Sequence, residues 1–230
     1  MTSVNSFKVG LGINYWDDVE GLLRILVNDD VYDFVDKIFV IDGRYQGRKD
    51  TAQCHPTYLE DLKGIYDKLE IFDMNDRLQI DKRNLYWELA EINEMDYMIV
   101  LDSDEYLEID PKQFNLSLRN IKDKPEQCFP LIQYMPDVVA MSKPRLFKAP
   151  FNFRHIQSDK PNTISHGSLY GPNGIEVINQ MYKWFDENPK FSINGDGGGL
   201  PGIKLYHDKT YRTRDRTIAD RVYYDETKDR

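Results

Sequence analysis

The stretch Tyr97-Met98-Ile99-Val100-Leu101-Asp102-Ser103-Asp104-Glu105 decides how this chain is read. An unbroken apolar run of this length predicts a strand buried on both faces, as inside a parallel sheet. It runs straight into three carboxylates, Asp102, Asp104 and Glu105. Carboxylates crowded at a strand end repel one another unless something neutralises them. A hard divalent cation such as Mg²⁺ or Mn²⁺ does so, prefers oxygen ligands and also bridges diphosphate oxygens. This is the only Asp-x-Asp in the chain. The plainer alternative is a strand that ends in a solvated acidic turn.

Upstream, the pattern alternates. Residues 7–13 read as a strand, 19–27 as a helix burying Leu22, Leu23, Ile25 and Leu26, and 37–41 as a second strand ending at Asp42-Gly43. Residues 56–69 place Leu59, Leu62, Tyr66 and Leu69 at helical spacing, and 69–72 form a third strand. Residues 82–93 are a helix with Leu85, Leu89 and Ile92 on one face, leading into the fourth strand at 97–101. Such alternation predicts an α/β fold, a mostly parallel sheet with helices on both faces. Ligands of such sheets bind beyond the carboxyl ends of the strands, where Asn14, Asp42 and the Asp102-Ser103-Asp104 run fall.

Downstream the pattern is less regular. We read a strand at 129–135, a hairpin or strand pair at 144–153 and a helix at 174–185 aligning Ile178, Met181 and Phe185. A short strand at 203–206 and an Arg-rich terminal helix at 212–224 follow. The segment 195–202 holds five glycines and one proline, which predicts a mobile loop able to close as a lid. The expected organisation is one domain over 1–230. Its two halves would be the regular 1–108 and the less regular 109–230.

Composition excludes some classes. Thirty basic against thirty-nine acidic residues leave a formal net charge of −9, which works against whole-surface binding to nucleic acid or anionic membrane. Cys54 and Cys128 have no metal-ligand spacing and are not needed to staple a chain of this size. The opening MTSVNSFKVG has no charged region followed by an apolar run, and no stretch is long and apolar enough to span a bilayer. The expected compartment is the cytoplasm. Fifteen Tyr and eleven Phe offer flat faces for sugar rings, although most of them are expected at the edge of the core.

Asn14, Asp42-Gly43, Arg83-Asn84 and Leu101-Asp102-Ser103-Asp104-Glu105 together resemble the GT-A nucleotide-diphospho-sugar transferases, above all the family 2 glycosyltransferases. The resemblance spans about residues 7–108, and Pro144-Arg145-Leu146-Phe147-Lys148 is similar to a segment found downstream of that family's metal motif. It implies a Rossmann-like GT-A fold, a nucleotide-sugar donor bound by the 1–108 half with the acceptor on the 109–230 half, Asp42 at the base or ribose, and Asp102 and Asp104 at the metal or ribose. It also implies a late His as a further metal ligand, here His207, weighed against a hydrogen-bonding structural role. Two departures stand out: Asp42-Gly43-Arg44-Tyr45-Gln46-Gly47 replaces the usual acidic loop, and no His-Glu pair follows Phe147.

The expected activity is metal-dependent transfer of a sugar to a hydroxyl of a saccharide or glycoconjugate. Asn14, Asp42, Arg83, Asp102 and Arg212 are the donor-site candidates, and Asp102, Asp104 and His207 the metal candidates. The general base is open between Asp137, Asp159 and His155, with His166 also ambiguous. Lys209, Arg212, Arg214, Arg216 and Arg221 read chiefly as a solvated face, with Arg212 kept as a phosphate candidate. Tyr134, Phe151, Phe153, Tyr170, Tyr182 and Trp184 are the aromatics expected to meet an acceptor.

Rival readings are DNA carrying hydroxymethylated bases as the acceptor, gripped by the late arginines, and a non-catalytic sugar-binding domain. A sugar-phosphate nucleotidyltransferase should carry a Gly-rich loop with Arg and Lys after its first strand, which Gly10-Leu11-Gly12-Ile13-Asn14 lacks. An aspartate-nucleophile phosphatase should place its Asp-x-Asp near the first strand, not at residue 102.

Overall fold

The computed structural model describes residues 7–15, 19–43, 56–74, 77–135, 138–156, 168–171, 174, 176, 177, 179, 187 and 199–207. Among these residues the main sheet has eight strands, in the order β3 (Leu69–Asp73), β2 (Lys37–Asp42), β1 (Val9–Tyr15), β4 (Tyr97–Asp102), β7 (Val138–Lys148), β6 (Cys128–Met135), β10 (Ile203–His207) and β5 (Glu105–Ile109). The first four are β1 (Val9–Tyr15), β2 (Lys37–Asp42), β3 (Leu69–Asp73) and β4 (Tyr97–Asp102), all mutually parallel. The helices between them are α1 (Val19–Leu26), α2 (Asp29–Phe34), α3 (Pro56–Ile65) and α4 (Gln79–Ile92). The α/β reading of this half therefore holds, strand by strand.

The two faces of the sheet bury different sets. Val9, Leu11 and Ile13 of β1 and Tyr97, Ile99 and Leu101 of β4 join Leu22, Leu26, Phe34, Leu59 and Leu62 from α1, α2 and α3. The alternate residues Phe39, Ile41, Met98 and Val100 meet Tyr86, Trp87, Leu89 and Ala90 of α4. Gly12 explains how close α4 comes. A Cβ there would lie 2.9 Å from Tyr86 Cδ1 and 2.7 Å from Met98 Cε, so only a glycine lets the tyrosine ring cross β1.

Downstream of β4 the chain is more regular than its sequence implies. β5 (Glu105–Ile109), α5 (Pro111–Ile121), β6 (Cys128–Met135), β7 (Val138–Lys148) and β10 (Ile203–His207) complete the layer. β7 runs antiparallel to β4 and β6, β10 parallel to β6, and β5 antiparallel to β10. The expected hairpin at 144–153 is instead the end of the long β7. A bent connection then leads to β8 (Arg154–Ile156), which pairs with β9 (Ser168–Tyr170) in a separate two-stranded sheet. α5 packs Phe114, Leu118 and Ile121 under this half. Its start has a clear signal: Asp110 accepts from the N–H groups of Lys112 and Gln113, both at 3.1 Å, and Pro111 occupies the first turn. The helix expected at 174–185 and the terminal helix at 212–224 lie largely or wholly outside the described residues. Among the described residues no helix is long and apolar enough to cross a membrane.

The glycine-rich segment is not a free lid at its C-terminal end. Leu200 N–H donates to Pro130 O at 3.3 Å, Asp110 N–H donates to Gly202 O at 2.8 Å, and Ser117 Oγ donates to Pro201 O at 2.8 Å. A Cβ on Gly199 would lie 2.6 Å from Ile132 N. Here glycine serves close packing rather than mobility. Residues 195–198 lie outside the described set.

Lys148, which closes β7, donates through Nζ to the carbonyls of Ile121, Lys122 and Lys124 at the end of α5. A cation there satisfies orphan carbonyls and complements the helix dipole. Lys148→Met should therefore cost about 1 kcal/mol of stability, read as a lower urea midpoint at unchanged slope.

Candidate active site

The strand order reverses around β1, with β2 on one side and β4 on the other, and such a switch point opens a crevice at the carboxyl ends of the strands. Asn14 and Asp102 are register partners at that point. Both sit on the face that α4 covers, being in phase with Gly12 and Val100. Asn14 Nδ2 donates to Asp102 Oδ1 at 3.5 Å. Asp42 ends β2 one strand away, buried, with Gly43 following at a φ of 127°.

Three consecutive residues at the start of α4 bind three different parts of the crevice. Lys82 is fully buried and donates to the carbonyls of Tyr15 and Gly43, tying the ends of β1 and β2 together. Arg83 Nη2 donates to Asp102 Oδ1 at 2.7 Å. Asn84 holds β8 as a strand neighbour would: its Oδ1 accepts His155 N–H at 2.7 Å and its Nδ2 donates to His155 O at 3.2 Å. Arg83 was legible in the sequence. Lys82 was not, because nothing in a helical pattern marks a lysine that will point at two strand ends.

Asp102 is gripped from the other side as well. Arg145, on β7, donates through Nη2 to Asp102 Oδ2 at 2.7 Å and to Glu105 Oε1 at 2.6 Å. Glu105 Oε1 also accepts from Gln133 Nε2 at 2.7 Å, and its Oε2 accepts the Asp102 N–H at 2.9 Å, closing the turn between β4 and β5. Burial pushes the Glu105 carboxyl above its usual range while Arg145 pulls it the other way. Burial disfavours the charge on Arg145, but Glu105 and Asp102 outweigh that and hold its pKa above the ordinary guanidinium value. Two guanidiniums and two carboxylates thus balance. The repulsion that called for a metal at this strand end is met, at Asp102 and Glu105, by arginines.

Asp104 has a different partner. The antiparallel pairing of β10 with β5 sets His207 opposite Glu105, and His207 Nε2 lies 2.9 Å from Asp104 Oδ2. The carboxylate is buried and the imidazole about one-fifth exposed. A carboxylate oxygen and an imidazole nitrogen are both donor types that a Mn²⁺-class cation accepts, and these two alone would leave most of its shell to other groups. Among the described residues no three His, Cys, Asp or Glu side chains are grouped to hold a metal.

The remaining candidates fall elsewhere. His155 has its backbone clamped by Asn84 and its ring stacked over Trp87, 6.4 Å between centroids and 12° between planes. Asp137, Asp159, His166 and Arg212 lie outside the described residues, as do the side chains of Tyr182 and Trp184. Phe151 and Phe153 are core residues against Trp87 and Phe147, so neither offers a face to an acceptor. Tyr134 is half-buried and stacks on Tyr206, which stacks in turn on Tyr106, with centroids 5.4 and 4.9 Å apart. Tyr170 is half-buried on β9. Arg145 and Gln133 were missed as site residues. The available signal for Arg145 was its place in Pro144-Arg145-Leu146-Phe147-Lys148; Gln133 offered none beyond a polar residue within an apolar strand.

No family model and no curated protein matches this chain. Among solved structures, CMP:2-keto-3-deoxy-manno-octonic acid synthetase complexed with CTP aligns over 93% of this chain and 82% of that one, at 10% identity and a TM-score of 0.35. A Bacillus anthracis protein assigned as a glucose-1-phosphate thymidylyltransferase, in complex with sucrose, aligns over 89% and 72%, at 11% identity and a TM-score of 0.34. Values this low say nothing of activity.

Proposed function

We propose that this chain is a sugar-nucleotide enzyme and, more narrowly, a glycosyltransferase of the GT-A type. It would move a sugar from a nucleotide-diphospho-sugar to a hydroxyl of a saccharide or glycoconjugate. The observation that carries the reading is the meeting of Asp104 and His207 at 2.9 Å, from positions 103 residues apart, beside the Asn14–Asp102 switch point. Asn14, Asp42, Arg83 and Asp102 would supply polar groups for the nucleotide, and Asp104 and His207 would hold Mn²⁺ or Mg²⁺. A divalent cation, when bound, offsets the charge that grows on a departing nucleoside diphosphate.

The chain's own residues prepare that role. Buried Asp104 provides an anionic oxygen at low solvent access, where its attraction for a cation is least screened. His207 contributes a nitrogen while its imidazole is neutral. Lys82 fixes the two strand ends between which a base and ribose would enter. Asp137, Asp159 and His155 remain the proposed sources of a base for the acceptor hydroxyl, and Arg212 a proposed phosphate contact.

Incubation with a panel of nucleotide-sugars, with and without Mn²⁺, tests the reading. Nucleoside diphosphate release that depends on the cation is the expected result. Release of pyrophosphate from a nucleoside triphosphate and a sugar phosphate, with every nucleotide-sugar left intact, would replace the glycosyltransferase by a nucleotidyltransferase. Transfer to hydroxymethylated duplex DNA and to no saccharide would change the acceptor but not the chemistry.

A further inference from the structure

We infer that Arg145 is the positioning residue for the Asp104–His207 pair, acting through Asp102 and Glu105. The inference rests on the proposed metal site but concerns how the pair is held. A single nitrogen, Arg145 Nη2, bonds Asp102 Oδ2 at 2.7 Å and Glu105 Oε1 at 2.6 Å, so one group spans both ends of the turn that carries Asp104. Glu105 closes the same turn on the Asp102 N–H at 2.9 Å and is anchored by Gln133 from β6. Its backbone is the register partner of His207. Arg145 therefore fixes the 102–105 turn against β7, Gln133 fixes it against β6, and the β5–β10 ladder carries His207 to the same turn. The two bonds of Arg145 go to Asp102 and Glu105, which flank the turn, so the arginine acts on Asp104 through its neighbours.

The arginine is also what makes this acidic run tolerable when buried. Glu105 lies 3% exposed with a guanidinium as its counter-charge, and removing that charge leaves a buried carboxylate unpaired. The turn is then expected to loosen, and the 2.9 Å contact of Asp104 with His207 to lose its fixed geometry. Groups that orient metal ligands from behind typically change metal affinity by about 10–100-fold. Because one nitrogen makes both contacts, a lysine ammonium can replace it, whereas an apolar side chain of similar length cannot.

The test uses the full chain as wild type, R145K, R145M and R145M/E105Q, the last removing the stranded charge if R145M alone unfolds. The first readout is the ¹⁵N resonances of the His207 imidazole without metal, assigned by their loss in H207Q. The second is Mn²⁺ affinity by electron paramagnetic resonance. Wild type and R145K should share the ring-nitrogen shifts of a fixed Asp104 contact. R145M, or R145M/E105Q where only that one folds, should show averaged shifts and about 10–100-fold weaker Mn²⁺ binding. Wild-type ring shifts in the folded methionine variant would overturn the inference. A wild type that binds no Mn²⁺ would remove the metal assignment and leave the ring shifts to decide the role of Arg145.

Discussion

Asp104→Asn should lower cation-dependent release of nucleoside diphosphate by at least about a hundredfold, the scale on which one preorganised electrostatic contact acts in catalysis. The amide keeps the size of the side chain and a hydrogen-bonding group for His207, whose Nε2 lies 2.9 Å away, so the fold should stand. What is lost is the anionic oxygen that a divalent cation needs. Asp102→Asn is the informative companion. Asp102 receives Arg83 and Arg145, both at 2.7 Å, and its replacement leaves two guanidiniums short of a counter-charge. It should therefore lower stability as well as turnover, whereas Asp104→Asn lowers turnover with a thermal midpoint close to wild type. Differential scanning calorimetry beside the donor assay separates them. Undiminished turnover in Asp104→Asn would remove this carboxylate from the chemistry.

Gly202→Ala should be among the most destabilising single-methyl additions available in this chain, costing about 3 kcal/mol or more. Two causes add. The residue has a φ of 84°, which an L side chain adopts only with strain. An added Cβ would also lie 2.3 Å from Phe114 N and 2.7 Å from Gln113 C, both backbone atoms of α5 that cannot swing aside as a side-chain tip can. Relief would require α5 to move away from Gly202, loosening the core cluster that Phe114 and Leu118 share with Ile203 and Leu205. Urea unfolding measures it, and a midpoint within error of wild type would mean that α5 yields to the added methyl at little cost. Gly174 is the control, because it too has a positive φ of 67° but has nothing within 4 Å of its added Cβ. Gly174→Ala should cost only the strain of about 1 kcal/mol.

The tyrosine row bears on where an acceptor would lie. Tyr134, Tyr206 and Tyr106 use their faces on one another, and the Arg24 guanidinium lies over the Tyr106 ring, 4.2 Å from its centroid. Tyr206 also donates to Glu108 at 2.8 Å, and burial together with that carboxylate pushes its hydroxyl up to about 12. These rings are engaged with protein, so their abundance in the sequence is not in itself a sugar platform. With Phe151 and Phe153 in the core and Tyr134 stacked on Tyr206, Tyr170, Tyr182 and Trp184 are the other aromatics that sequence offered for an acceptor. Tyr134 and Tyr170 are half-buried, and Tyr182 and Trp184 lie outside the described side chains.

What the sequence determined by itself was the local periodicity and its punctuation. An unbroken apolar run from Tyr97 to Leu101 has one stable home, the interior of a sheet covered on both faces, and the carboxylates after it must then sit at a strand end. The same reasoning set β1, β2 and β3 in parallel and brought Asn14, Asp42 and Asp102 to one edge, since those relations follow from hydrophobic burial and short connections. Tertiary structure alone decided which charge answers which. Arg145 is 43 residues from Asp102, and His207 is 103 from Asp104. Their meeting depends on β7 lying beside β4 and on β10 lying beside β5, pairings that no local period encodes. The glycines of 199–202 show the same division. Their composition reads as freedom, but at Gly199 and Gly202 neighbouring backbones come too close for a Cβ, and only the packed chain reveals that they are there to be filled against.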